Sequence, residues 1–170
     1  MKTKTIKHPN PVWREKANFI IGAQCTNKAD KTNAWEQLWS RKVSGNIFEI
    51  CCIPFFLYDI SLGDEVKTDQ DFWISEVLKR LGHFTFRAWF GNSNDSSIRD
   101  GIIKRVNDLG CLFEWYSNNL LAIDAPTEDL AKQLADYLYE QEQLGLLVYE
   151  TGQPNTRSDP WWHIMLNSKK

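Results

Sequence analysis

Between residues 18 and 82 apolar and polar side chains alternate with period two, and two later windows switch to a period near 3.6. Trp35, Gln37, Trp39, Arg41 and Val43 share one face of a predicted strand, and Ser44-Gly45-Asn46 reads as a hairpin turn. Ile47–Ile53 is apolar on both faces, as a buried partner strand should be, and Pro54 ends it. A strand near Asn18–Ala23, a segment Phe55–Asp59 leading into the turn Ser61-Leu62-Gly63-Asp64, and strands Glu65–Thr68 and Phe72–Lys79 complete this half. So many short antiparallel strands predict a small barrel-like sheet.

From His83 the pattern changes. Phe84, Phe86, Ala88 and Phe90 alternate with Thr85, Arg87 and Trp89. Asn94, Asp95, Ser96 and Ser97 offer N-caps for a helix whose stripe is Ile98, Ile102, Val106 and Leu109, with Gly110 placed to end it. Cys111–Trp115 and Leu120–Asp124 read as strands joined through Asn118-Asn119. Pro126 opens a second helix with the stripe Leu130, Leu134, Tyr137, Leu138 and Gln141, Gly145 stops it, and Leu146–Glu150 is a last strand. The order β-α-β-β-α-β is that of a ferredoxin-like unit. The fold class expected is α+β: a basic arm 1–17, a β-rich half 18–82, a ferredoxin-like half 83–150 and a tail 151–170.

Composition narrows the function classes. The chain has 170 residues, 42% of them hydrophobic, with 20 basic and 22 acidic residues and a formal net charge of −2. Disorder is excluded by the hydrophobic content, and nothing suggests the basic excess of a nucleic-acid binder. No apolar run reaches the roughly 20 residues of a membrane span, and the N-terminus has no apolar segment of a secretory signal. A cytoplasmic protein without membrane partners is the expectation. Of the four cysteines, Cys51 and Cys52 are adjacent and no CxxC pair exists, so reduced buried thiols and no bound metal are expected. No cofactor motif is present either.

Charge is unevenly spread. Residues 1–17 carry Lys2, Lys4, Lys7, Arg14 and Lys16 against Glu15, behind Pro9 and Pro11, and read as a loose arm. Residues 124–150 carry Asp124, Glu128, Asp129, Asp136, Glu140, Glu142 and Glu150 against Lys132. An acidic helix face repels nucleic acid and membrane and steers a cationic partner. Trp161 and Trp162 head an apolar cluster in the polar tail, so they dock either on the chain itself or on a partner.

Catalytic signatures of the common hydrolase, metalloprotease, P-loop and dinucleotide types are absent. His83, Thr85 and Arg87 share one strand face by parity, so they either form a hydrogen-bonded row or bind an anion, as an enzyme or small-ligand domain would use them. The pairs Asp64/Glu65 and Asp69/Asp71 read as solvated loop charges. A ferredoxin-like sheet with Trp89, Phe113 or Trp115 on an open face would bind nucleic acid by stacking.

The progression Trp39-Ser40-Arg41, Ile53-Pro54-Phe55-Phe56, Leu62-Gly63-Asp64 and Gly82-His83-Phe84-Thr85-Phe86-Arg87 resembles a bacterial family of domains of unknown function. The likeness covers roughly residues 35–150, leaving the basic arm and the Trp161-Trp162-His163 tail outside it. It implies that the chain is similar to small proteins that act as immunity proteins beside contact-dependent or secreted toxins. The expected function is then non-enzymatic: binding and neutralising a toxin, a basic nuclease above all. Asp129, Asp136, Glu140, Glu142, Trp161 and Trp162 are its candidate partner-binding residues, and no catalytic residue is expected.

Overall fold

Chain direction, burial and backbone hydrogen bonds divide the molecule into two sheets that share one face. The computed structural model describes residues 4–25 and 33–152. The first sheet holds β1 (Lys4–Ile6), β2 (Phe19–Gln24), β3 (Ala34–Ser44), β4 (Ile47–Ile50), β5 (Glu65–Thr68) and β6 (Ile74–Lys79). The long β3 is its spine: β2 runs antiparallel along Trp35–Ser40, while β1 and β4 share the other edge. Along it Ala34, Glu36, Leu38 and Ser40 point into the protein, and Trp35, Gln37, Trp39 and Arg41 form the outer face, as the alternation predicts.

Four expectations need correcting here. The sheet is curled but not a closed barrel: β2 meets the start of β6 at a single bridge, Gly22 with Trp73, where the Gly22 N–H donates to Phe72 O at 2.9 Å. A β carbon at Gly22 would lie 2.9 Å from the Trp73 ring, so only glycine lets the indole close over the seam. The predicted strand Ile47–Ile53 stops at Ile50, and Cys51–Leu57 runs on as irregular chain that is buried throughout. The arm is not loose from Lys4 onward: β1 pairs in parallel with β3, and Ile6 and His8 are buried. Finally, Phe72 is outside β6 and turns the chain at φ 64°.

The second sheet contains β7 (Phe84–Trp89), β8 (Leu112–Ser117), β9 (Leu120–Ala125) and β10 (Val148–Thr151), with α1 (Ser96–Asp108) and α2 (Glu128–Gln143) between them. The strand order is β10-β7-β9-β8 and each neighbouring pair is antiparallel. Asp95 caps α1 by accepting from Ser97 N, and Thr127, one residue after Pro126, caps α2 by accepting from Leu130 N. Both helices end the same way. Gly110 and Gly145 take positive φ just past the caps, and the next residue donates back across the last turn, Cys111 to Val106 O and Leu146 to Gln141 O.

Every residue of β9 is buried, because both faces of its sheet are covered. Leu121, Ile123 and Ala125 pack with Ile102, Val106, Leu134 and Leu138 under the helices. Leu120 and Ala122 turn the other way and join Ile21, Leu38, Phe48, Ile50, Phe55 and Phe56 from the first half. A sheet covered on both sides does not offer Trp89, Phe113 and Trp115 the open face on which bases would stack.

Candidate functional site

The buried stretch Cys51–Leu57 lies between the two sheets. An irregular segment in a core must find partners for its peptide groups, because an unpaired one costs about 1–3 kcal/mol. Here charged side chains supply them. Glu36 on β3 accepts from Phe55 N at 2.6 Å and Phe56 N at 3.0 Å. Glu114 on β8 accepts from Ile53 N at 2.8 Å and, from the arm, Val12 N at 3.1 Å. Arg87 on β7 donates to Pro54 O at 3.3 Å and to Leu57 O.

Those charges are themselves paired. Arg87 Nη1 meets Glu150 Oε1 at 2.9 Å, and the Tyr58 hydroxyl donates to the same carboxylate while its ring lies under the guanidinium. His8 stands between the other two acids, Nε2 at 2.9 Å from Glu36 and Nδ1 at 2.7 Å from Glu114, with its ring stacked on Phe55 at 4.2 Å and 8°. Burial opposes charge on His8, but Cys52 and the hydrogen bonds to Glu114 and Glu36 raise its pKa well above the ordinary histidine value.

The predicted row on β7 shares one face, but that face is the junction. His83 Nδ1 pairs with Asp124 at 2.8 Å, Thr85 donates to the Ser61 hydroxyl at 3.1 Å, and Arg87 is wholly buried and engaged. An anion would find Arg87 already neutralised by Glu150, so the row is structural glue. Asp124 Oδ1 has no hydrogen-bond partner, and burial pushes the Asp124 carboxyl up against the opposing pull of His83. Asp64, also raised by burial, holds the turn through Ser61 N and Leu81 N. Asp69 accepts from Asp71 N and Trp73 N, so neither pair of loop carboxylates is arranged as a reactive dyad.

Burial also silences the thiols. All four cysteines are free and buried, Cys51 is pushed up to about 12 and Cys111 to about 11, and neither is a thiolate at neutral pH. Among the described residues no group of three His, Cys, Asp or Glu side chains is placed to hold a metal. No described helix is long and apolar enough to cross a membrane.

On the outer face of α2, Asp129, Asp136 and Glu140 are exposed, beside Tyr139 at 54% and Leu144 at 69% relative exposure. Glu142 is half-buried and accepts from Tyr149 N at 3.2 Å, so it braces β10. Lys132 is tied to Glu128 at 3.1 Å. Trp161 and Trp162 lie outside the described residues. Elsewhere an open cleft of about 600 Å³ separates Pro9 and Asn10 of the arm from Trp115 and Asn118. Arg99 at its wall is spent on the loops, donating to Asn118 O, Asp95 O, Asn119 Oδ1 and Ser93 O.

Sequence reasoning missed Glu36, Glu114, Glu150 and His8. A signal existed for the first: Glu36 interrupts the inward series Ala34, Leu38, and a carboxylate at an inward strand position demands a buried partner. His8 had none, since nothing in a basic, proline-broken arm marks one residue for burial.

Residues 36–149 match the family described as a domain of unknown function (DUF4265), and the chain belongs to that family. No curated protein matches it. A crystal structure of a hypothetical protein from Neisseria gonorrhoeae is similar in fold, with a TM-score of 0.65 at 16% identity over 82% of this chain and 99% of that one.

Proposed function

We propose that this member of a family of unknown function is a non-enzymatic, cytoplasmic protein-binding protein, an immunity protein that neutralises a cognate toxin with a basic surface, such as a nuclease. The strand order of the second half is read as ferredoxin-like, with α2 as its outward-facing helix. One observation carries the proposal: α2 exposes an acidic stripe of Asp129, Asp136 and Glu140 flanked by exposed Tyr139 and, at its C-cap, Leu144. An exposed tyrosine is a residue type enriched in protein interfaces. A nuclease grips phosphate with cations, so an acidic cover gains on-rate by steering. The buried ionisable groups at the junction serve the chain's own backbone, which supports a function carried by the surface.

The test is whether the neighbouring gene encodes a toxin domain that associates with the full chain, followed by stopped-flow at several salt concentrations. The triple variant Asp129→Lys, Asp136→Lys, Glu140→Lys is expected to associate at least tenfold more slowly, and salt is expected to slow the unaltered protein more than the variant. Equal rates for both proteins across salt remove α2 from the interface. Absence of any complex removes the immunity reading.

A further inference from the structure

We propose that Glu36, Glu114 and Phe55 form a receptor for a small planar cation, which the chain fills in cis with the imidazolium of His8. Three features of the site are those of a bound ligand. The ring lies flat on Phe55 at 4.2 Å with an interplanar angle of 8°, the approach a cation makes to an aromatic face. Its two nitrogens meet two carboxylates from different sheets, at 2.9 Å from Glu36 and 2.7 Å from Glu114. Each wall carboxylate is also held by backbone donors that are independent of the ring: Phe55 N and Phe56 N for Glu36, Ile53 N and Val12 N for Glu114.

Two ionised carboxylates facing the ring call for the charged form. A neutral imidazole has one N–H and one bare nitrogen, and a bare nitrogen facing a carboxylate oxygen sets lone pair against lone pair. The other ionisable groups facing the site are Cys52 from the buried loop and Cys25, whose thiol donates to Glu36 Oε2 at 3.7 Å. Neither supplies a cation. Arg87 is committed to Glu150. The ligand class that fits is thus a flat ring or fork with N–H groups at opposite edges and one positive charge, an imidazolium or a guanidinium.

His8→Gly removes the ring and leaves the walls. At pH 6, imidazole is expected to raise the melting temperature of that variant saturably and leave the unaltered protein unmoved, since a ligand stabilises only a fold with its site vacant. Pyrazole, equal in shape but uncharged at this pH, is expected to do nothing. Equal rescue by pyrazole means a hole filled by shape alone and overturns the proposal, as does failure of imidazole to act on a folded variant. Adding Glu114→Gln is expected to weaken the imidazole effect at least tenfold, and an unchanged effect counts equally against it. If His8→Gly does not fold, nitrogen NMR of the intact protein decides: both His8 ring nitrogens are expected to carry protons at pH 6.5, where a free imidazole is half deprotonated, and a bare nitrogen there overturns the assignment.

Discussion

The two faces of the second sheet are covered by different kinds of structure and are built from different chemistry. Toward α1 and α2 the strands present Phe86, Ala88, Leu121, Ile123 and Ala125, a wholly apolar surface. Toward the first half the same strands present Thr85, Arg87, Glu114, Asp124 and Glu150, all buried. What lies opposite explains the difference. A helix satisfies its own peptide groups and asks a neighbouring sheet only for shape. The segment Cys51–Leu57 makes no such internal ladder, so the facing strands must bring acceptors and donors to it. Polarity on a buried sheet face thus reports the irregularity of its cover.

That contrast can be broken from either side, and the largest effect is expected at Arg87. Arg87→Met strands the Glu150 carboxylate and the Pro54 and Leu57 carbonyls, and removing one partner of a buried ion pair costs about 3–5 kcal/mol. Urea unfolding reads it. Adding Glu150→Leu is expected to recover part of the loss but not all, because the two carbonyls stay unpaired. Full recovery means that the pair serves only itself.

On the apolar face Leu134→Ala is expected to cost about 2–5 kcal/mol through the cavity it leaves, with no dependence on pH. The junction face should differ here. His8 has a folded pKa above its unfolded value, so its contribution is complete below about 6.5 and fades as pH rises through the folded value. Asp124 is a carboxyl raised by burial, so it holds its proton to higher pH in the folded than in the unfolded state and also lowers stability as pH rises, from the ordinary carboxylate range upward. Unfolding free energy is therefore expected to fall with rising pH above 6.5 with a slope of at most about 1.4 kcal/mol per unit from His8. His8→Gln should flatten that slope, and an unchanged slope in the variant places the titration elsewhere.

Smallest of all is the effect expected at α2. Asp129→Lys with Asp136→Lys and Glu140→Lys alters only exposed groups, and each surface substitution is expected within about 0.5 kcal/mol of neutral. Thermal melting should barely move while association slows, which separates a surface kept for a partner from one kept for the fold.

The helix-covered face was readable in the chain because its rules are local. The caps at Asp95 and Thr127 lie within a residue or two of the sequence signals, and the stops at Gly110 and Gly145 fall where the stripes end. The strands β7, β8 and β9 follow from alternation and length. At the junction the rules are not local. The parallel pairing of β1 with β3 joins a three-residue strand to a distant partner, and nothing in Lys4–Ile6 encodes it. Cys51–Ile53 reads as the end of a strand because it is apolar on both sides, and period-two reasoning cannot tell a buried strand from a buried loop. The same limit hid the fate of His83, Thr85 and Arg87: parity places them on one face but is silent on what lies against it.

Synthesis from the N-terminus imposes an order on this design. His8 leaves the ribosome early, and its partner Glu114 stands 106 residues further on. Until β8 emerges the imidazole has at most one of its carboxylates, and the Cys51–Leu57 peptide groups wait first for Arg87 on β7 and then for Glu114. The nascent first half thus lacks the groups that let its loop leave water, and a domain-by-domain route of folding during synthesis is closed to it. A ribosome-bound fragment ending before residue 114 is expected to be cut readily by protease within Cys51–Leu57, while the released chain resists. A segment made 106 residues ahead of its partner is locked in place only when that partner arrives.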